Sequence, residues 1–266
     1  MENKLIFSLY DKKFKKINIE TVVDIINLYG NKNIDGIEIN SNDLEYIKKC
    51  AQLCKKNKMM FRCHFPLVDM TEIEITRYLN CLNDISKELR YNINIVLHSL
   101  CEQDTLEEKI DATNIYVDKL LKYIKKYKLN LTISLENLNY RGGIKRINIS
   151  KIDEILTNFN ELAFTYDIGH DLYDNKLPSN LSSLQISKIN NVHIHSVLND
   201  EDHHLINNKS NDLNEIVLAL GKLRKAEYKG PIVLEYAIDY IEGNKIEEKI
   251  INYTKSFEYF KKELIK

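Results

Sequence analysis

Short apolar runs and amphipathic stretches alternate along almost the whole chain. Apolar runs of strand length occur at LIFSL (5–9), GIEI (36–39), MMFRCHF (59–65), INIVLH (93–98), LTISLE (131–136), LAFTYD (162–167), VHIH (192–195) and PIVLEY (231–236). Between them lie segments whose apolar residues recur with helical spacing: IETVVDIINLYG (19–30), NDLEYIKKCAQLCKKN (42–57), ATNIYVDKLLKYIKKY (112–127) and EEKIINYTKSFEYFKKELI (247–265). Strand starts fall about thirty residues apart, the repeat of a βα unit. Eight such units predict a single α/β domain spanning 1–266, a (β/α)8 TIM barrel. A doubly wound open sheet normally carries a glycine-rich phosphate turn after its first strand, and LIFSLYDKKFKK has no glycine.

Composition narrows the class. Hydrophobic residues make up 44% and charged residues 29% of 266, which suits a folded enzyme-sized domain rather than a disordered chain. No run approaches the ~18 apolar residues of a membrane span, and MENKLIFSLYDKKF does not read as a signal peptide. Lys and Arg number 38 against 39 Asp and Glu, so the surface as a whole is not a glove for nucleic acid. The odd set Cys50, Cys54, Cys63, Cys81 and Cys101 points to free thiols and a cytoplasmic setting. Cys50 and Cys54, four apart on a predicted helix, read as small apolar residues on one face.

In a barrel, chemistry gathers where strands end and their βα loops begin. All seven histidines fall there: His64, His98, His170, His193, His195, His203 and His204. Alternation along each strand puts Glu136, Asp167, His193, His195 and Glu235 on the face opposite the helix-packing residues, pointing into the barrel mouth with His64 and His98. Carboxylates buried at that density repel one another unless a cation sits between them. Imidazole and carboxylate without thiolate suit a divalent Zn, Mn, Co or Fe(II) ion rather than a structural all-cysteine zinc site.

Leu135-Glu136-Asn137, YDIGH (166–170), VHIH (192–195) with Asp202-His203-His204, and VLEY (233–236) together resemble the xylose isomerase-like TIM-barrel superfamily, which includes sugar isomerases, sugar epimerases and endonuclease IV. The resemblance implies a metal held by Glu136, Asp167, His193 and Glu235. The three-metal branch implies further ions on His64 and His98, with Glu136 bridging, and on His170, Asp202 and His204, giving one to three ions per chain. His195 becomes a supporting or substrate-facing residue.

The implied activity is metal-dependent isomerisation or epimerisation of a sugar or sugar phosphate. Glu136 and Glu235 pass a proton at the carbon beside a carbonyl while the metal stabilises an enediolate. The alternative is zinc-dependent phosphodiester cleavage of abasic-site DNA, with nucleic acid as partner. Leu67 stands where the endonucleases usually carry a tyrosine, and the later loop LINNKSNDLNEI lacks the glycine-rich segment that both branches usually carry after the Asp-x-His pair, a departure that bears on the third metal site. A barrel that merely holds a metal and a ligand is a third possibility.

Around this centre, NYRGGIKR (139–146) places Arg141, Lys145 and Arg146 about a Gly-Gly pair, which reads as a lid for an anionic substrate or as an ordinary basic loop. Asn137 and Asn139 are placed to meet substrate hydroxyls or to form a turn, and Tyr10 to line the pocket. Glu38 and Arg62 face the interior from neighbouring strands and should pair. The sequence leaves the oligomeric state open.

Overall fold

A computed structural model describes residues 3–10, 17–30, 32–66, 70–140 and 144–264. Eight parallel strands close into a barrel: β1 (Leu5–Leu9), β2 (Gly36–Asn40), β3 (Met60–His64), β4 (Ile93–Leu97), β5 (Leu131–Glu136), β6 (Ala163–Asp167), β7 (Ile189–Ile194) and, after a two-stranded insertion, β10 (Ile232–Leu234). Strand order around the barrel follows the chain, with β10 closing onto β1. Each strand lies within three residues of the apolar run that predicts it.

The helices outside are cut to length by side chains that cap their ends. Asn18 opens α1 (Ile19–Tyr29) and Asp43 opens α2 (Leu44–Lys56), each accepting from amides of the first turn. Thr71 with Glu74, and Thr105 with Glu108, form reciprocal capping boxes on α3 (Glu72–Leu89) and α4 (Leu106–Tyr127). α5 (Asp153–Leu156), α6 (Ile168–Asn175) and α7 (Ser183–Lys188) are shorter, and α8 (Leu213–Lys225) and α9 (Ile246–Tyr259) complete the ring. Cys50 and Cys54 sit fully buried on the inner face of α2 as small apolar residues. No described helix is long and apolar enough to cross a membrane.

Packing between strands and helices is apolar: Ile37, Ile39, Phe61, Ile95, Ile133, Leu135, Phe164, Val192 and Ile194 all belong to one core cluster. The barrel interior is of another kind. Ser134 Oγ lies 2.6 Å from Thr165 Oγ1 and donates to Asn190 Oδ1 at 2.9 Å, while Asn190 Nδ2 donates to Asn94 Oδ1 at 2.7 Å. Arg62 Nε stands 3.5 Å from Glu38 Oε2, the pairing expected of neighbouring strands that set these two residues side by side. A polar interior beneath the mouth gives the site above it a hydrogen-bonded floor.

Candidate metal centre and active site

Register brings the first group of ligands together. Asp167 at the end of β6 lies directly abreast of His193 on β7, after a shift in the β6–β7 pairing at Phe164/Thr165. Glu136 ends β5, and Glu235 follows β10. Ligand atoms of Glu136, Asp167, His193 and Glu235 all lie within 4.8 Å of one another, and all four side chains are buried. His193 Nδ1 is 3.0 Å from Glu235 Oε2 and 3.2 Å from Glu136 Oε1. Its other nitrogen, Nε2, is 2.9 Å from Glu38 Oε1, so a residue of β2 turns this ring toward the centre. Asp167 Oδ1 caps α6 by accepting from His170 N at 2.8 Å, whereas Oδ2 is buried without a hydrogen-bond partner among the described residues.

A second group adjoins the first through Glu136. His64 Nε2 and His98 Nε2 approach Glu136 Oε2 to 3.3 and 3.1 Å and each other to 3.2 Å. His64 Nδ1 meets the Phe65 carbonyl at 2.9 Å, so this nitrogen carries a proton and Nε2 presents its lone pair to the carboxylate. Two lone pairs facing each other need a cation between them. A proton or a divalent ion can fill that role.

The third group differs from the expected His170, Asp202 and His204. His170, His195 and His203 converge, with Asp202 beside them. The segment after β7 forms an antiparallel hairpin, β8 (Ser196–Leu198) and β9 (Glu201–His204), turned by Asn199 and Asp200, both at positive φ. His203 also has positive φ, 62°, which breaks the alternation of β9 and sends consecutive residues Asp202 and His203 inward. His204 is therefore turned away, stacked on Tyr240 at 3.9 Å and 3.7 Å from Glu201. His170 Nδ1 is tied to the Asn137 carbonyl at 3.0 Å and His203 Nδ1 to the Glu235 carbonyl at 3.2 Å, so each offers Nε2.

The remaining expectations divide. His195 is fully buried rather than facing substrate. Its Nδ1 accepts the His203 amide at 2.9 Å, and its Nε2 stands 3.3 Å from Asp167 Oδ1. The ring lies so close over Gly169 that a Cβ there would meet it at 2.2 Å, which is why YDIGH carries a glycine. Asn137, also fully buried, has its amide on backbone: it accepts from Asp167 N at 2.8 Å and donates to Asp167 O at 2.9 Å, fixing the end of β6. Asn139 donates to Asp202 Oδ2 at 3.0 Å. Tyr10 lines the cavity, 4.7 Å from the His203 ring. Arg146 lines it too. Lys145 is exposed, and its carbonyl accepts from buried Lys109 Nζ at 2.9 Å. Arg141 and Leu67 lie outside the described residues.

Sequence reasoning missed the inward turn of His203, for which Asn199-Asp200 between two short runs was the available hairpin signal. It also missed the contact of Glu38 with His193. That contact crosses the barrel interior between strands far apart in sequence, so only the closed barrel shows it.

Electrostatics matches a cation site. Burial raises the Glu136 carboxyl, but His193 and His98 outweigh it and hold the group well below the usual carboxylate range. Glu235 is brought down to about 2: burial opposes this, and His193 dominates. His193 is buried, yet Glu38, Glu235 and Glu136 raise it well above an ordinary histidine. Burial and the neighbouring His195 bring His203 down to about 4, leaving it neutral, the form that ligates metal. Buried, hydrogen-bond-deficient carboxylate and imidazole atoms on several strands fit a hard-to-borderline divalent ion. Above them opens a cavity of about 600 Å³, lined by His64, His98, His170, Asp202, His203 and Glu235 among others. Glu136 lies beneath its surface, fully buried.

No protein-family model and no curated protein matches the sequence. Solved structures do resemble the fold. A D-tagatose 3-epimerase-like protein superposes with TM-score 0.66 at 20% identity, covering 97% of each chain. A 3-keto-D-glucoside 4-epimerase from E. coli gives TM-score 0.67 at 14% identity over 98% of this chain and 99% of its own. D-allulose 3-epimerase from Methylomonas sp., solved with D-allulose, gives 0.66 at 14% over 98% and 96%. A xylose isomerase-like TIM barrel fused to a 4-hydroxyphenylpyruvate dioxygenase gives 0.61 at 15% over 96% of this chain and 42% of its own. By its closed barrel, this chain shares the (β/α)8 fold of these solved structures.

Proposed function

We propose that the protein is a metal-dependent isomerase or epimerase of a small carbohydrate, with Glu136 and Glu235 as its proton carriers. The observation that carries this reading is the buried cluster of Glu136, Asp167, His193 and Glu235 under a cavity of sugar size. The structural neighbours, sugar epimerases by name, support it. A Mn, Zn or Co ion at this cluster supplies Lewis-acid stabilisation of negative charge developing on substrate oxygens. Glu235, ionised and lining the cavity, is the group that first meets the carbon-bound proton. Glu136 acts from beneath, its position set by His64, His98 and His193. Burial of all four side chains strengthens the electrostatic coupling among them.

The test combines metal analysis of protein purified without chelator with ketose incubation in deuterium oxide. About one ion per chain and solvent deuterium at a ketose carbon beside the carbonyl is the expected result. Failure of every ketose to exchange with the loaded enzyme would sink the reading. The groups around His64 and His98, and around His170 and His203, favour a second reading as an endonuclease IV-like phosphodiesterase with further ions. Close to three zinc ions per chain and cleavage of abasic-site DNA would establish it instead.

A further inference from the structure

The rim of the cavity carries polar groups that the proton-transfer reading leaves unused. Arg146, in the loop after β5, is the one Lys or Arg among the described residues lining the cavity, and its Nε is buried without a hydrogen-bond partner among them. Ser99, just past β4 on the neighbouring strand, lines the same cavity, is 4% exposed, and its Oγ is likewise unpartnered. Glu102, the acidic residue on this rim, is solvent-exposed. A guanidinium is donor-only, and leaving its N–H unmet in a partly buried position is costly. The carboxylate-rich floor repels an anion, so this rim is where negative charge on a ligand is best met.

We propose that Arg146 and Ser99 form an anion subsite, and that the substrate is a small sugar derivative carrying an acidic group, phosphate or carboxylate, apart from the oxygens that face the carboxylate–histidine floor. This assignment rests on the epimerase reading for the fate of the rest of the molecule, though not for the binding of the acidic group. The guanidinium and the hydroxyl are both donors to the oxygens of such a group, and the arginine bond is strengthened by its charge.

The test uses the full-length, metal-loaded chain in two arms. In the first, inorganic phosphate is titrated into the wild type, Arg146→Leu, Arg146→Lys and Ser99→Ala. Phosphate taken up by the metal alone binds all four equally, whereas the subsite predicts a loss of roughly 10- to 100-fold in Arg146→Leu, the range of a charge-assisted hydrogen bond, and partial recovery in Arg146→Lys. In the second, a neutral ketohexose, its 6-phosphate and the matching keto-acid sugar are compared as substrates. Wild type should prefer one acidic form by a similar factor in kcat/KM. Arg146→Leu should lose that preference mainly through KM, and whichever acid is preferred identifies the group. Equal phosphate binding by wild type and Arg146→Leu overturns the subsite even if neutral ketoses are turned over. Arg146-dependent phosphate binding without turnover of any ketose keeps the subsite and overturns the epimerase reading.

Discussion

Along β5, Ile133 and Leu135 point outward to the helices while Ser134 and Glu136 point into the barrel, and all four are fully buried. Equal burial serves opposite ends. The outward pair joins a continuous apolar cluster and contributes stability in proportion to the area removed from water. The inward pair sits among hydroxyls, amides, histidines and carboxylates, where burial by itself opposes charge and every ionised group depends on a partner. One strand thus separates what holds the fold from what the fold is for. The same division runs through β6, with Phe164 and Tyr166 outside and Thr165 and Asp167 inside.

The sharpest way to break this comparison is to damage each face alone. Glu235→Gln should lower turnover by roughly 10²–10⁴-fold, the contribution of a positioned general acid–base group, while unfolding stays cooperative. Phe164→Ala on the outer face should lower the unfolding free energy by about 3–5 kcal/mol, with its folded fraction still binding metal. Denaturant titration and turnover per folded molecule, measured on both variants, separate the two. An Ala variant at Phe164 that lost turnover without losing stability would contradict the division.

A smaller effect probes how deep the inner network reaches. Glu38 holds His193 Nε2 from across the barrel and is itself met by Arg62 and Asn191. Glu38→Gln should weaken metal binding by roughly 10- to 100-fold, as removal of a charged group that orients a metal ligand does elsewhere. Competition with a metal-binding dye reads this directly. An unchanged affinity would limit the role of Glu38 to its contacts with Arg62 and Asn191.

The smallest expected effect is one of pH. In chelator-treated protein, burial opposes the charge on His193, and Glu38, Glu235 and Glu136 outweigh it, so its folded pKa stands above the unfolded value of about 6.5. Its contribution to stability is therefore complete below about pH 6.5 and is lost as pH rises through the folded value. A divalent ion takes the unprotonated ring, so excess metal should remove or reverse that decline. Glu235, held at about 2, adds the acid limb: its contribution is present above about pH 4.3 and is lost as pH falls toward 2. Melting temperatures of chelated and metal-loaded protein across pH 3 to 9.5 check both limbs, and identical curves would contradict the assignment of His193 as a ligand.

Much of this molecule was legible in the order of its residues because strand alternation and helical spacing are local properties. They were enough to predict eight strands and to put Glu136, Asp167, His193 and Glu235 on the inner face, where the structure gathers them. Local periodicity fails where the backbone leaves a regular region. His203, at φ 62°, exchanges places with His204 for that reason, and Asn137 turns its amide onto the Asp167 backbone rather than into the cavity. Contacts across the barrel lie further still from local pattern. The approach of Glu38 to His193, the His195 ring over Gly169 and the unmet donors of Arg146 and Ser99 on one rim arise only when closure brings distant strands and loops to a common axis. Sequence by itself determined which face of each strand carries chemistry, since a side-chain period of two needs no partner. Tertiary structure alone decided which of those groups touch, because that depends on register and closure.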